Sequence, residues 1–93
     1  MQAIWKFPLQ CADKNVVEMP RGSQVLCVQN QNEVPCLWAL VPDVTPECVT
    51  VARTFTIYGT GHQHELISGG YVGTFQLRGG SLVLHVFEEK AES

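Results

Sequence analysis

Apolar and polar residues alternate with a period of two along almost the whole chain, and this excludes a helical fold. In an extended strand successive side chains point to opposite faces. Over residues 3–9, Ile4 and Lys6 therefore face one way and Trp5 and Phe7 the other. Phe55 and Ile57 oppose Thr54, Thr56 and Tyr58, while Leu82, Leu84 and Val86 oppose Val83, His85 and Phe87. No stretch repeats apolar residues at i, i+3, i+4 and i+7 over a helical length. Strands are predicted over 3–9, 16–19, 24–29, 34–41, 49–58, 71–77 and 81–87. Between them lie polar, proline- or glycine-bearing segments such as Pro20-Arg21-Gly22-Ser23, Asn30-Gln31-Asn32-Glu33 and Arg78-Gly79-Gly80. Gly73, inside a strand, marks a bulge or a close backbone approach. The expected fold is a single all-β domain over residues 1–93, a small antiparallel β-sandwich or barrel of six to seven strands. Little or no helix is expected, at most one turn around 63–68, and residues 89–93 read as a solvated tail.

Three strands are apolar on both faces: 25–28, 36–41 and 82–87. A chain of 93 residues hides only roughly 60–65% of its unfolded surface. The excess apolar surface therefore points to a homo-oligomer or another protein partner. Trp38 is placed in the core and Trp5 at an edge or interface. The four cysteines, Cys11, Cys27, Cys36 and Cys48, show no C-x-x-C spacing and read as reduced, buried thiols. The start of the chain alternates like a strand and has no apolar signal region. No run approaches the about 20 apolar residues of a membrane span.

Six basic and nine acidic residues give a net charge of −3, and the basic ones are spread singly. Nucleic-acid binders cluster Lys and Arg against phosphates, so general nucleic-acid binding is not expected. The carboxylates Glu18, Glu33, Asp43, Glu47 and Glu65 look loop-borne and solvated. No nucleophile sits in a recognisable catalytic signature. No catalytic residue, cofactor or metal is assigned, and the chain is read as non-enzymatic. His62, His64 and Glu65 could offer zinc ligands, with His85 a distant third imidazole, but no complete ligand set is evident.

The most unusual local sequence is Tyr58-Gly59-Thr60-Gly61-His62. Its glycines let backbone amides approach an anion, and His62 could donate to it. They equally suit a strained turn leaving a strand. Arg78, Gly79 and Gly80 could add a basic lip to the same pocket, or form only a hairpin turn. These eight residues, Tyr58 to His62 and Arg78 to Gly80, are the candidate ligand or partner site.

The blocks Pro35-Cys36-Leu37-Trp38-Ala39-Leu40-Val41, Phe55-x-Ile57-Tyr58-Gly59-Thr60-Gly61-His62, Gly73-Thr74-Phe75-Gln76 and Gly79-Gly80-x-Leu82-Val83-x-His85-Val86-Phe87-Glu88 occur in that order. Together they resemble a family of small uncharacterised proteins encoded by bacteriophages and prophages. The resemblance covers residues 2–89 and implies a context, the host cell cytoplasm, but no mechanism. Two expectations follow. The first is an inhibitor that contacts a host defence protein such as a CRISPR effector. The second is an oligomeric sponge that sequesters a small nucleotide, with Tyr58, His62 and Arg78 as ligand contacts.

Overall fold

A computed structural model describes residues 1–42 and 45–90. Seven strands follow in order: β1 (Ala3–Pro8), β2 (Lys14–Pro20), β3 (Gln24–Gln31), β4 (Val34–Val41), β5 (Thr50–Gly59), β6 (Gly70–Leu77) and β7 (Leu82–Glu88). They form two antiparallel sheets, one of order β1-β4-β3 and one of order β2-β5-β7-β6. The expected all-β class is therefore observed. The expected turn around 63–68 is not helical, and a short 3-10 turn falls instead at Arg78–Gly80. Asp43 and the tail residues 91–93 lie outside the described residues. Among the described residues no helix is long and apolar enough to cross a membrane.

β2 is longer than its apolar residues predict, because Lys14 and Asn15 pair with Thr56 and Phe55 of β5. Backbone pairing, rather than side-chain hydrophobicity, sets that boundary. Asn15 also fixes the preceding bend: its Oδ1 accepts the Gln10 amide at 2.8 Å and its Nδ2 donates to the Gln10 carbonyl at 3.1 Å.

The inner faces of the sheets form one core. Leu9, Met19, Val28, Leu37, Phe55, Phe75, Leu77 and Val86 are buried together. The edges of the sheets meet along β3 and β6. There a side chain at Gly73 would sit 2.9 Å from Cγ1 of Val28 and 3.4 Å from its backbone nitrogen. Glycine at 73 thus lets the two strands touch. The register of β6 against β7 also shifts between Tyr71 and Gly73. Gly73 accordingly combines the bulge and the close approach that the sequence signals.

At one end of the sandwich Arg53 of β5 ties β7 to the residue that precedes β3. Its Nε and Nη2 donate to the two Glu88 carboxylate oxygens at 2.5 and 2.8 Å, and its Nη1 donates to the Ser23 carbonyl at 2.6 Å. The hydrogen bonds it donates to Glu88 hold the Arg53 guanidinium above its usual pKa.

Of the two tryptophans, only Trp38 departs from expectation. Trp5 lies on edge strand β1 and is 38% exposed. Trp38 is not in the core. It alternates with the buried Leu37 and Ala39 and pairs with Lys6 and Cys27, so it lies half-buried on the outer face of the three-stranded sheet. The thiols also depart from a uniformly buried set. All four are free, but Cys11 is exposed on the β1–β2 connection and only Cys36 is buried.

Phe55 is a fully buried side chain at the centre of this core. Phe55→Ala is expected to destabilise the fold by about 3–5 kcal/mol, read as a lowered denaturant midpoint. A loss below about 1 kcal/mol would show that the sheets do not close on this residue.

Candidate functional site

The inner face of the four-stranded sheet is apolar to its very end. Ile57 on β5 and Leu82 and Leu84 on β7 are half-buried there, beside the buried Phe75 and Leu77 of β6. The result is a half-open cavity of about 480 Å³ with those five side chains as its floor. Its walls come from four connections: Cys11, Ala12 and Asp13 from β1–β2, Glu33 and Pro35 from the β3–β4 hairpin, His62 after β5, and Arg78 after β6. The β1–β2 wall is anchored to β5, since the Ile57 amide donates to the Asp13 carbonyl at 2.9 Å.

Glycine at 59 seats the histidine. A side chain there would come within 2.7 Å of His62 Nδ1 and 2.8 Å of its Cε1. The His62 amide also donates to the Gly59 carbonyl at 3.3 Å. The imidazole therefore rests on bare backbone at the cavity rim. The Arg78 guanidinium makes no hydrogen bond or ion pair among the described residues. Its fork of N–H groups is free for an anion.

Glu33 is engaged. Its Oε1 accepts the Arg78 backbone amide at 2.8 Å, and its Oε2 accepts Asn30 Nδ2 at 3.0 Å. Both partners of the first bond have left-handed backbones, with φ of 65° at Glu33 and 53° at Arg78. For residues with a Cβ this conformation costs roughly 1–2 kcal/mol each. Two strained residues thus meet on the cavity wall.

The eight candidate residues do not form one pocket. Gly59, His62 and Arg78 line the cavity. Side chains at Gly61 or Gly79 would meet nothing, and one at Gly80 would approach the Gln76 side chain. Tyr58 and Thr60 belong to the opposite, outer face of the four-stranded sheet. There Tyr58 packs edge-on against Phe87 and His64, at 5.6 and 4.8 Å between ring centres, and Phe87 packs against Tyr71 at 5.5 Å.

On the same outer face His85 bridges two threonines and lies outside the core. Thr60 Oγ1 donates to the Val83 carbonyl at 2.9 Å, so it accepts from His85 Nε2 at 2.7 Å. His85 Nδ1 is hydrogen-bonded to Thr74 Oγ1 at 2.9 Å, and Thr74 Oγ1 to the Tyr71 hydroxyl at 2.6 Å. The Thr60 contact therefore places a proton on Nε2. The bulge between Tyr71 and Gly73 explains how residues three apart share this face. His62 thus lies apart from His64 and His85, and among the described residues no three acidic, cysteine or histidine groups gather for a metal.

Sequence reasoning missed the apolar floor, because an inward residue at a strand end reads the same whether its partner sheet covers it or not. It also missed Glu33 as a wall residue. The available signal was a two-residue hairpin loop, Asn32-Glu33, without the glycine such left-handed turns prefer.

Gly59 has an ordinary backbone, so alanine there meets only the His62 ring. Gly59→Ala is expected to leave the melting temperature nearly unchanged while shifting the His62 ring resonances in NMR spectra. Unchanged His62 resonances would contradict the seating.

Comparison with curated proteins and with solved structures gave no match. One family model, described as a domain of unknown function (DUF7352), matches residues 1–93. A chain whose whole length fits that model, with the two sheets and the end cavity described above, belongs to the DUF7352 family.

Proposed function

We propose that this chain is a non-enzymatic binding protein that sequesters a small anionic ligand with a flat apolar body, a nucleotide above all, in the end cavity. The observation that carries this reading is the pairing of an apolar floor with the unpartnered Arg78 guanidinium at the rim. The volume lies within the about 300–1,000 Å³ range of small-molecule sites. A base would lie against Phe75, Leu82 and Leu84, and a phosphate would meet Arg78 and His62.

A second reading, inhibition of a host protein by direct contact, rests on a different surface. The outer face of the three-stranded sheet carries Ile4, 63% exposed, beside half-buried Trp38 and Leu40, with Leu26 exposed at the β3 bulge. A solvated sheet face is normally polar. The resemblance to phage and prophage proteins supports a host defence component, in the host cytoplasm, as the partner. A second copy of the chain could cover the same face.

Calorimetry with a panel of cyclic nucleotides tests the first reading. Binding by the wild type is expected, with Arg78→Ala weakening it by about tenfold or more, as for a lost charged hydrogen bond. Absence of heat with every nucleotide would overturn it. For the second, the double change Ile4→Lys and Leu26→Lys should abolish co-purification of a host protein while leaving the melting transition cooperative. Retention of that partner would count against the sheet face.

A further inference from the structure

The cavity end is joined across the two sheets by one small set of contacts. Asn30 Nδ2 on β3 donates to the Gln76 carbonyl on β6 at 2.7 Å and to Glu33 Oε2 at 3.0 Å. Asn30 Oδ1 accepts the Glu33 amide at 2.7 Å, and Glu33 Oε1 accepts the Arg78 amide at 2.8 Å. Asn30 and Glu33 thereby tie the tip of the β3–β4 hairpin to the β6–β7 turn, and Glu33, Pro35, Leu77 and Arg78 all line the cavity. These bonds are exposed to water. The residues they hold, Asn32, Glu33 and Arg78, are the three described non-glycine residues with positive φ, at 52°, 65° and 53°. Contacts that compete with solvent while holding strained backbone belong to the low-stability part of a fold.

We propose that this hairpin tip is a strap whose release at Glu33 widens the cavity and admits the ligand. The proposal rests on the reading of the cavity as a ligand site. Opening breaks the Glu33–Arg78 bond, which frees the Arg78 amide beside its guanidinium and lets both turns relax. The strap regulates access, and the core beneath it, from Val28 to Phe75, stays packed.

Glu33→Gly tests this without unfolding the hairpin. Asn-Gly is a preferred pair for a two-residue loop with both φ values positive, so the turn itself is retained or strengthened. The carboxylate that holds the Arg78 amide is lost. Amide exchange at Arg78 is expected to accelerate by about tenfold or more, as for a lost charge-assisted hydrogen bond. Association of an anilinonaphthalene sulfonate dye, an apolar anion, should quicken in stopped-flow measurements, with no fall in melting temperature. Glu33→Gln, which keeps an acceptor oxygen, should stay near wild type in both. Unchanged Arg78 exchange in Glu33→Gly, or faster exchange without faster dye entry, would overturn the strap. Faster exchange and faster dye entry in a protein that binds no nucleotide would uphold the strap while removing the nucleotide assignment.

Discussion

The structure depends on the contact between β3 and β6, where a glycine at 73 lets the edges of two separate sheets touch. A chain of 93 residues cannot bury much surface, so its two sheets must share one core. Val28 against Gly73 closes one long side of that core. Arg53, bound to Glu88 and to the Ser23 carbonyl, closes one end. At the other end the cross-sheet bonds of Asn30 and Glu33 are exposed to water. There Ile57, Leu82 and Leu84 on the inner faces of β5 and β7 stay half-buried, and the cavity lies against them.

Much of this architecture is legible in the sequence. Period-two alternation locates the strands because each has one inward row, as Phe55 and Ile57 show on β5. Gly73 is legible because glycine inside a β-branched run has few other uses. What is not legible is which sheet covers which face. Trp38 sits between two residues that are fully buried, and apolar neighbours on both sides suggest a core position. Its pairing with Lys6 and Cys27 decides otherwise, and strand pairing is a long-range fact.

The candidate site was half visible for the same reason. Gly59 and His62 are three positions apart and Arg78 follows a strand later, and the fold brings these three to one cavity. Tyr58 and Thr60, interleaved with them, are sent to the opposite face by the alternation that identified the strand. The floor residues Leu82 and Leu84 carry no local mark of exposure. Glu33 looked like an ordinary solvated turn residue, although its left-handed backbone and its bond to the Arg78 amide make it part of the wall.

The outer faces differ in character. One presents aromatic rings and a histidine saturated by two threonines, and the other presents Ile4, Trp38 and Leu40 with Lys6 beside them. The account places ligand recognition at neither face but at the open end between the sheets. Amide and side-chain NMR shifts recorded while a cyclic nucleotide is titrated into the protein test that claim most directly. The account predicts perturbations concentrated at Gly59, His62, Arg78, Leu82 and Leu84. Shifts confined to Ile4, Trp38 and Leu40, or to Tyr58, Tyr71 and His85, would contradict it.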